Sequence, residues 1–282
     1  MSDASRAPRP ADVPFTERTP RVVAARRLTR RSGRDRAARF LAEGAQAVRE
    51  ALAWSAEGRG RVHELFVTEV AAERNQELVD AAASSGVPIS VVTDKAAAAL
   101  SETVTPQGVV AVCDPVEVPL DAALTPSARL VAVLHGVADP GNAGTVVRVA
   151  DAAGADAVVF AGDSVDVHNG KCVRASTGSV FHLPIARARS AEDVFAACRA
   201  AGLRLVAADG YATEDLVTAD LRGDLAHPTA WVFGSEAHGL PDDVVTSLDG
   251  ALKVPLYGGA ESLNLATAAA VCLYASARAH RA

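Results

Sequence analysis

The chain has 282 residues, 49% of them apolar, 22% charged and only 4% aromatic, with a formal net charge of −6. That length suits two ordinary domains of roughly 100–200 residues each. No uninterrupted apolar run of about 18 residues is present to cross a membrane, and the polar, proline-rich N-terminus lacks the apolar core of a signal peptide. The four cysteines, Cys113, Cys172, Cys198 and Cys272, form no CxxC pair and no zinc spacing. Reduced, buried thiols in a cytoplasmic protein are expected, and no metal.

An acidic total argues weakly against a nucleic-acid binder, but its distribution is uneven. Residues 1–40 hold eleven arginines against four acids, a net +7, so the rest of the chain carries −13. A basic end on an acidic body is the asymmetry of a protein that meets a polyanion with one end. A solvated arginine-rich tail would have the same composition.

Residues 1–18 contain three prolines and no apolar period, and read as a disordered tail. Helical spacing runs over 21–38, with Gly33 as a break. A strand over 39–43 follows, then a helix over 45–54, a strand over 62–67, a helix over 73–83, a strand over 87–92, a short helix over 94–100 and a strand over 107–112. This alternation predicts a small α/β sandwich over 19–113. Residues 114–127, with three prolines, read as a linker.

A second α/β run spans 128–282. Strands are expected over 130–134, 157–160, 180–184, 203–208, 229–233 and 251–254, and helices over 145–153, 168–175, 191–201, 242–248 and 266–278. Ser262 is the expected N-cap of the last helix. Glycine-rich loops sit at three strand ends, where ligands collect in such sheets. None is a dinucleotide or P-loop signature, since GxGxxG and GKS/GKT are absent. Taken singly, each loop has a plain structural reading. Asn142 would cap the following helix, Arg148 would pair with Asp151, and Glu236 would be a solvated turn residue. Arg148 lies six residues after Asn142, so both can face one cleft. No G-x-S-x-G elbow supports a hydrolase, and no histidine–carboxylate spacing supports a metal site.

Read together, the loops are more specific. The ordered set Asn142-x-Gly144-x-x-x-Arg148, then Gly234-x-Glu236-x-x-Gly239-Leu240, then Val254-Pro255-Leu256 leading to Ser262-Leu263-Asn264-Leu265-Ala266, resembles the SpoU family of RNA ribose 2′-O-methyltransferases, within the SPOUT superfamily. Lys171-x-x-Arg174-Ala175-Ser176-x-Gly178 is similar to that family's connecting segment. Phe40-Leu41-x-Glu43-Gly44 and the run from Thr105 through Pro106-Gln107-Gly108 to Val112 resemble the L30e-like substrate-binding domain of many members.

The resemblance implies an α/β fold with a C-terminal trefoil knot, S-adenosylmethionine (AdoMet) as methyl donor, an RNA partner and a homodimer joined through the C-terminal domain. It implies catalytic roles for Arg148, Asn142, Glu236, Ser262 and Asn264, and a cofactor site at Phe233, Gly234, Val254, Leu256, Leu263 and Asn264. Asn142 would orient Arg148 or the ribose, and Glu236 would fix Arg148 or the loops. A guanidinium stays protonated, so Arg148 is easier to understand as an electrostatic stabiliser than as a free base. RNA contacts are expected from Arg26, Arg27, Arg30, Arg31, Arg39, Lys171 and Arg174. Members with the appended domain act mostly on large-subunit ribosomal RNA, which favours 23S rRNA. Transfer RNA, resistance methylation of ribosomal RNA and a non-catalytic ribosome-assembly role are the alternatives.

Overall fold

The computed structural model describes residues 13–282. The chain divides into two compact units: the first holds residues up to 115 together with 168–181, the second 116–167 with 182–282. Among the described residues no helix is long and apolar enough to cross a membrane.

The first unit opens with helix α1 (Pro20–Arg26) and α2 (Arg31–Ala37), joined by a 3-10 turn over Arg27–Thr29. The break therefore falls before Gly33, not at it. Gly33 lies inside α2, where a Cβ would stand 1.9 Å from the Arg27 carbonyl oxygen. Close approach, not a turn, is what requires glycine there. Most of residues 1–18, expected as a disordered tail, lie outside the described residues, but Phe15 is ordered. Its N–H donates to the Val91 carbonyl at 2.8 Å, and its carbonyl accepts from the Thr93 N–H at 2.9 Å.

Strand β1 (Phe40–Glu43) and helix α3 (Ala45–Ala56) come next, then β2 (Val62–Val67), α4 (Glu69–Arg74), α5 (Gln76–Ser84), β3 (Ile89–Val91), α6 (Asp94–Ala99) and β4 (Val109–Cys113). The single helix expected over 73–83 is two, because Asn75 leaves the helical region between them. The sheet order is β1-β4-β2-β3, with β4 antiparallel to both neighbours and β2 parallel to β3. Val22, Ala25 and Leu28 pack with Leu41, Phe66, Val92 and Val110, so the arginine-rich segment is a folded layer of this core. Arg34 is buried within it and donates to the Leu28 and Thr29 carbonyls at 3.0 and 3.1 Å.

Of the stretch 114–127, expected as a linker, residues 116–127 are part of the second unit. The Val118 N–H donates to Ile185, and α7 (Leu120–Ala123) buries Ala123 and Leu124 against the sheet. Strand β5 (Leu130–His135), helix α8 (Pro140–Ala153) and β6 (Ala157–Ala161) follow. The chain then returns to the first unit as α9 (Gly170–Ser176) and a 3-10 turn over Ser179–Phe181. A strand was expected over 180–184. Phe181 instead joins an aromatic cluster, 5.9 Å from Phe40 and 5.5 Å from Trp54 between ring centroids, and the strand begins at Ile185.

The second unit is completed by β7 (Ile185–Ala188), α10 (Ala191–Ala200), β8 (Arg204–Ala208), α11 (Leu216–Leu221), β9 (Thr229–Phe233), α12 (Asp242–Ser247), β10 (Gly250–Leu252) and α13 (Leu265–Ala279). Its six strands run in the order β10-β8-β9-β5-β6-β7, all parallel. Side chains alternate between faces. Val131, Val133, Val159, Leu205 and Val232 meet α7 and α10 on one side. On the other, α8 and α13 pack together and against β5. There the buried Trp231 Nε1–H donates to Ser276 of α13 at 3.0 Å. This is a doubly wound sheet whose central strands, β9 and β5, end at the glycine-rich loops.

Candidate active site

Helix α8 begins at Pro140, five residues before the expected start. Asp139 is its N-cap, accepting from the Asn142 N–H at 2.8 Å, and proline at the first helical position lacks the N–H that would otherwise be orphaned. Asn142 is thus not a cap. Its side chain is free to work across the loops, and does so in both directions. Nδ2 donates to Glu236 Oε1 at 3.0 Å, and Oδ1 accepts from Asn264 Nδ2 at 3.0 Å. Two side-chain bonds thus join Asn142 to segments 94 and 122 residues further along the chain.

Glu236 reaches further. Oε1 also accepts from the Asp139 N–H at 3.1 Å, and Oε2 from the Ala138 N–H at 3.2 Å. Burial on its own would raise this carboxyl's pKa. The bonds from Asn142 and from the backbone N–H groups outweigh it and hold the group below its ordinary value. The glutamate is therefore a charged clasp between the loops after β9 and β5. The loop that carries it is closed by reciprocal Ser235–Gly239 backbone bonds at 3.0 and 2.9 Å. Gly234 cannot be replaced there without movement, since a Cβ would lie 2.2 Å from the Gly239 carbonyl carbon.

On the third segment the cap of α13 is Asn264, not Ser262. Asn264 Oδ1 accepts from the Ala266 and Thr267 N–H groups at 2.9 and 3.3 Å. Ser262 is exposed two residues earlier, and Glu261 beside it is exposed as well.

Arg148 is on α8 and exposed. Six residues of helix put it about 120° around the axis from Asn142 and about 9 Å along it. Asn142 and Glu236 bond to each other, to Asn264 and to the backbone of the loop after β5. Phe233, expected at the cofactor, has its ring fully buried and stacked 6.5 Å from Trp231, so only its backbone can take part. Val254 and Leu263 are half-buried, and Leu256 is exposed.

Sequence reasoning missed Asp139 and the Ala138 and Asp139 N–H groups. The Asp-Pro dipeptide, a cap residue before a first-turn proline, was the available signal.

This pattern of loops has known counterparts. Residues 129–274 match the SpoU rRNA Methylase family, and residues 41–119 match the RNA 2′-O ribose methyltransferase substrate-binding domain. The chain belongs to the SpoU rRNA methylase family. It is 34% identical to the Bacillus subtilis 23S rRNA (guanosine(2553)-2′-O)-methyltransferase RlmP, over 83% of this chain and 87% of that one. Among solved structures, the AdoMet-bound rRNA methyltransferase from Sinorhizobium meliloti is similar at a TM-score of 0.77 and 30% identity, covering 92% of this chain and 95% of that one. The SpoU methyltransferase AviRb from Streptomyces viridochromogenes, in complex with AdoMet, gives 0.77 and 29%, covering 93% and 98%. Among the described residues no group of histidine, cysteine and carboxylate side chains is placed to hold a metal ion.

In this SpoU family member, the side chains expected at RNA divide into two kinds. Arg26, Arg27, Arg30, Arg31 and Arg39 are exposed on the first unit, and Lys171 is exposed on α9. Arg174 is not of this kind. Its guanidinium donates to the buried Glu43 at 2.9 Å, and Ser101 and Thr103 bond the same carboxylate. The pair neutralises a buried charge and fastens α9 to β1, so Arg174 is corrected from an RNA contact to an internal anchor.

Proposed function

We propose that this protein is an AdoMet-dependent ribose 2′-O-methyltransferase acting on 23S ribosomal RNA. The observation that carries the reading is the hydrogen-bonded junction Glu236–Asn142–Asn264, which draws together the three loops at the carboxyl ends of the central sheet. AdoMet suits what is there: a backbone-rich, glycine-lined loop over 254–264, apolar Val254, Leu256 and Leu263, and no demand for a metal. When bound, it would supply an electrophilic sulfonium methyl for transfer to a ribose 2′-oxygen, whose proton passes to solvent.

The chain's own task is positioning and charge stabilisation. Glu236 and Asn142 fix the loops after β9 and β5. Asn264 fixes the start of α13 and so the end of the cofactor loop. Arg148, whose guanidinium is exposed, stabilises negative charge developing on the ribose oxygen. Ser262 lines the same loop without capping. The exposed arginines of α1, α2 and Arg39 supply sequence-independent phosphate contacts.

Further parts of the reading are a homodimer through the second unit, for which the exposed Val271 and Tyr274 on α13 are the suited apolar groups, a trefoil knot formed by the C-terminal segment, and a cytoplasmic location with the ribosomes. The test is mapping of 2′-O-methyl groups on ribosomal RNA from cells with and without the gene, complemented by wild type or Arg148→Ala. One 2′-O-methyl should vanish with the gene and return only with wild type. A purified Arg148→Ala protein should still bind AdoMet. Full methylation by that variant would overturn the role of Arg148, and an unchanged map without the gene would return the non-catalytic reading.

A further inference from the structure

Aromatic rings are sorted by type in this protein. Both tryptophans are buried, as is every phenylalanine except the half-buried Phe15, whereas the three tyrosines are exposed. Two of them occupy neighbouring loops of the second unit. Tyr211 follows β8 and is 97% exposed. Tyr257 follows β10 and is 90% exposed. The two strands pair in parallel, with Ala208 opposite Leu252 at their ends. Beyond the ends the loops stay fastened side by side. The Asp209 N–H donates to Leu252 at 3.0 Å, the Lys253 N–H to Glu214 at 3.0 Å, and the Leu216 N–H to Lys253 at 2.9 Å. Tyr257 also shares its loop with Asn264, a member of the junction described above.

The glycines beside these rings give a second, independent observation. Most glycines here have an internal reason, either a positive φ or a neighbour that a Cβ would strike. Gly210, next to Tyr211, and Gly258 and Gly259, next to Tyr257, have neither, and nor does Gly250 within β10. Their φ values are not positive, and nothing lies within 4 Å of where a Cβ would be. Internal packing therefore gives no account of the bare backbone beside each ring. A flat ligand laid across a ring does, because a flanking side chain would stand in its way.

We infer that Tyr211 and Tyr257 form a stacking platform for unpaired RNA bases next to the ribose that is methylated. The inference rests on the activity proposed above. Stacking on tyrosine is tolerant of base identity and favours single-stranded segments whose bases are splayed out. Rings so fully open to solvent suit a polymer arriving from outside, whereas the adenine of a cofactor needs an enclosing wall.

The test uses the full-length protein and its Tyr211→Ala, Tyr257→Ala, double-alanine and Tyr→Phe variants. The probe is a fluorescein-labelled mixed-sequence RNA of roughly a dozen nucleotides, single-stranded or annealed to its complement. Each alanine should weaken single-strand binding by about 5- to 100-fold. Phenylalanine should stay within about twofold of wild type, since the ring is retained. Duplex binding and sedimentation behaviour should be unchanged, and so should AdoMet affinity in Tyr211→Ala, which lies outside the cofactor loop. On 23S rRNA the alanine variants should show a raised KM with a nearly unchanged kcat. Wild-type single-strand binding by the double variant would overturn the platform. A parallel fall in AdoMet affinity would reassign the rings to the cofactor, and a changed oligomeric state would reassign them to a subunit interface. Failure of wild type to methylate 23S rRNA would instead overturn the proposed activity, a result read separately from the binding series.

Discussion

Replacing Glu236 by glutamine isolates the charge of the clasp from its shape. The carboxylate accepts three hydrogen bonds, from Asn142 Nδ2 at 3.0 Å and from the Asp139 and Ala138 N–H groups at 3.1 and 3.2 Å. Glutamine keeps one oxygen. In its better orientation it retains the two bonds at Oε1 and turns an NH2 group toward the Ala138 N–H, losing that bond. The surviving two pass from charged acceptors, about 1.5–3 kcal/mol each, to neutral ones, about 0.5–1.5 kcal/mol. The side chain is exposed, so water recovers part of this, and a net loss of about 1–2 kcal/mol is expected. That corresponds to roughly 2–4 °C in Tm per kcal/mol for a unit of this size.

The pH dependence has a definite sign. The folded-state pKa is held below the ordinary glutamate value of 4.5. The carboxylate's contribution is therefore fully present above that value and is lost as pH falls through the lowered one. Urea unfolding followed by Trp231 fluorescence in a Trp54→Phe background, repeated across acid pH, reads this directly. The gap between Glu236 and Glu236→Gln should be constant near neutrality and close in acid. A gap that is absent at pH 7, or equally wide in strong acid, would refute the clasp.

Three further outcomes are expected. Gly234→Ala must displace the Gly239 backbone, so it should abolish AdoMet binding, measured by calorimetry, while near-ultraviolet dichroism of the core stays native. Arg174→Met leaves Glu43 buried without its guanidinium and should cost about 2–4 kcal/mol in urea unfolding of the first unit, with Glu43→Gln in the same chain recovering much of the loss. Exchange of Arg26, Arg27, Arg30, Arg31 and Arg39 for glutamine should flatten the salt dependence of RNA binding by about 0.7 to 0.9 per phosphate contact removed. An unchanged slope would deprive that face of its role. Truncation is unsuitable for this last test, because Val22, Ala25 and Leu28 belong to the core.

The alternation of strands and helices was legible because apolar periods and glycine-bounded turns are local. So were the three loops, whose residue types recur in order. What escaped was decided by distance or by competition between equals. Asp139 and Asn142 are both good caps, as are Ser262 and Asn264, and only the geometry of the first turn selects among them. Gly33 reads as a breaker from sequence, yet its necessity comes from a carbonyl six residues away. Phe181 and Arg174 belong to the first unit because Phe40, Trp54 and Glu43 are there, and no local pattern records a partner more than a hundred residues distant. The third of a turn between Asn142 and Arg148 was hidden as well, since the true start of α8 sets their relation.

The excursion of residues 168–181 into the first unit also fixes an order of events during synthesis. A ribosome that has made residues 1–115 has released a sheet with Glu43 still awaiting Arg174, and with Phe40 and Trp54 awaiting Phe181. Two strands of the second sheet, β5 and β6, must emerge before those vacancies are filled. The first unit therefore matures late, and a gene cut at the boundary near residue 115 deprives it of the segment that completes it. Recombination that swaps recognition modules at a single crossover would break this protein. A working exchange needs the short segment around α9 to travel with the module it completes.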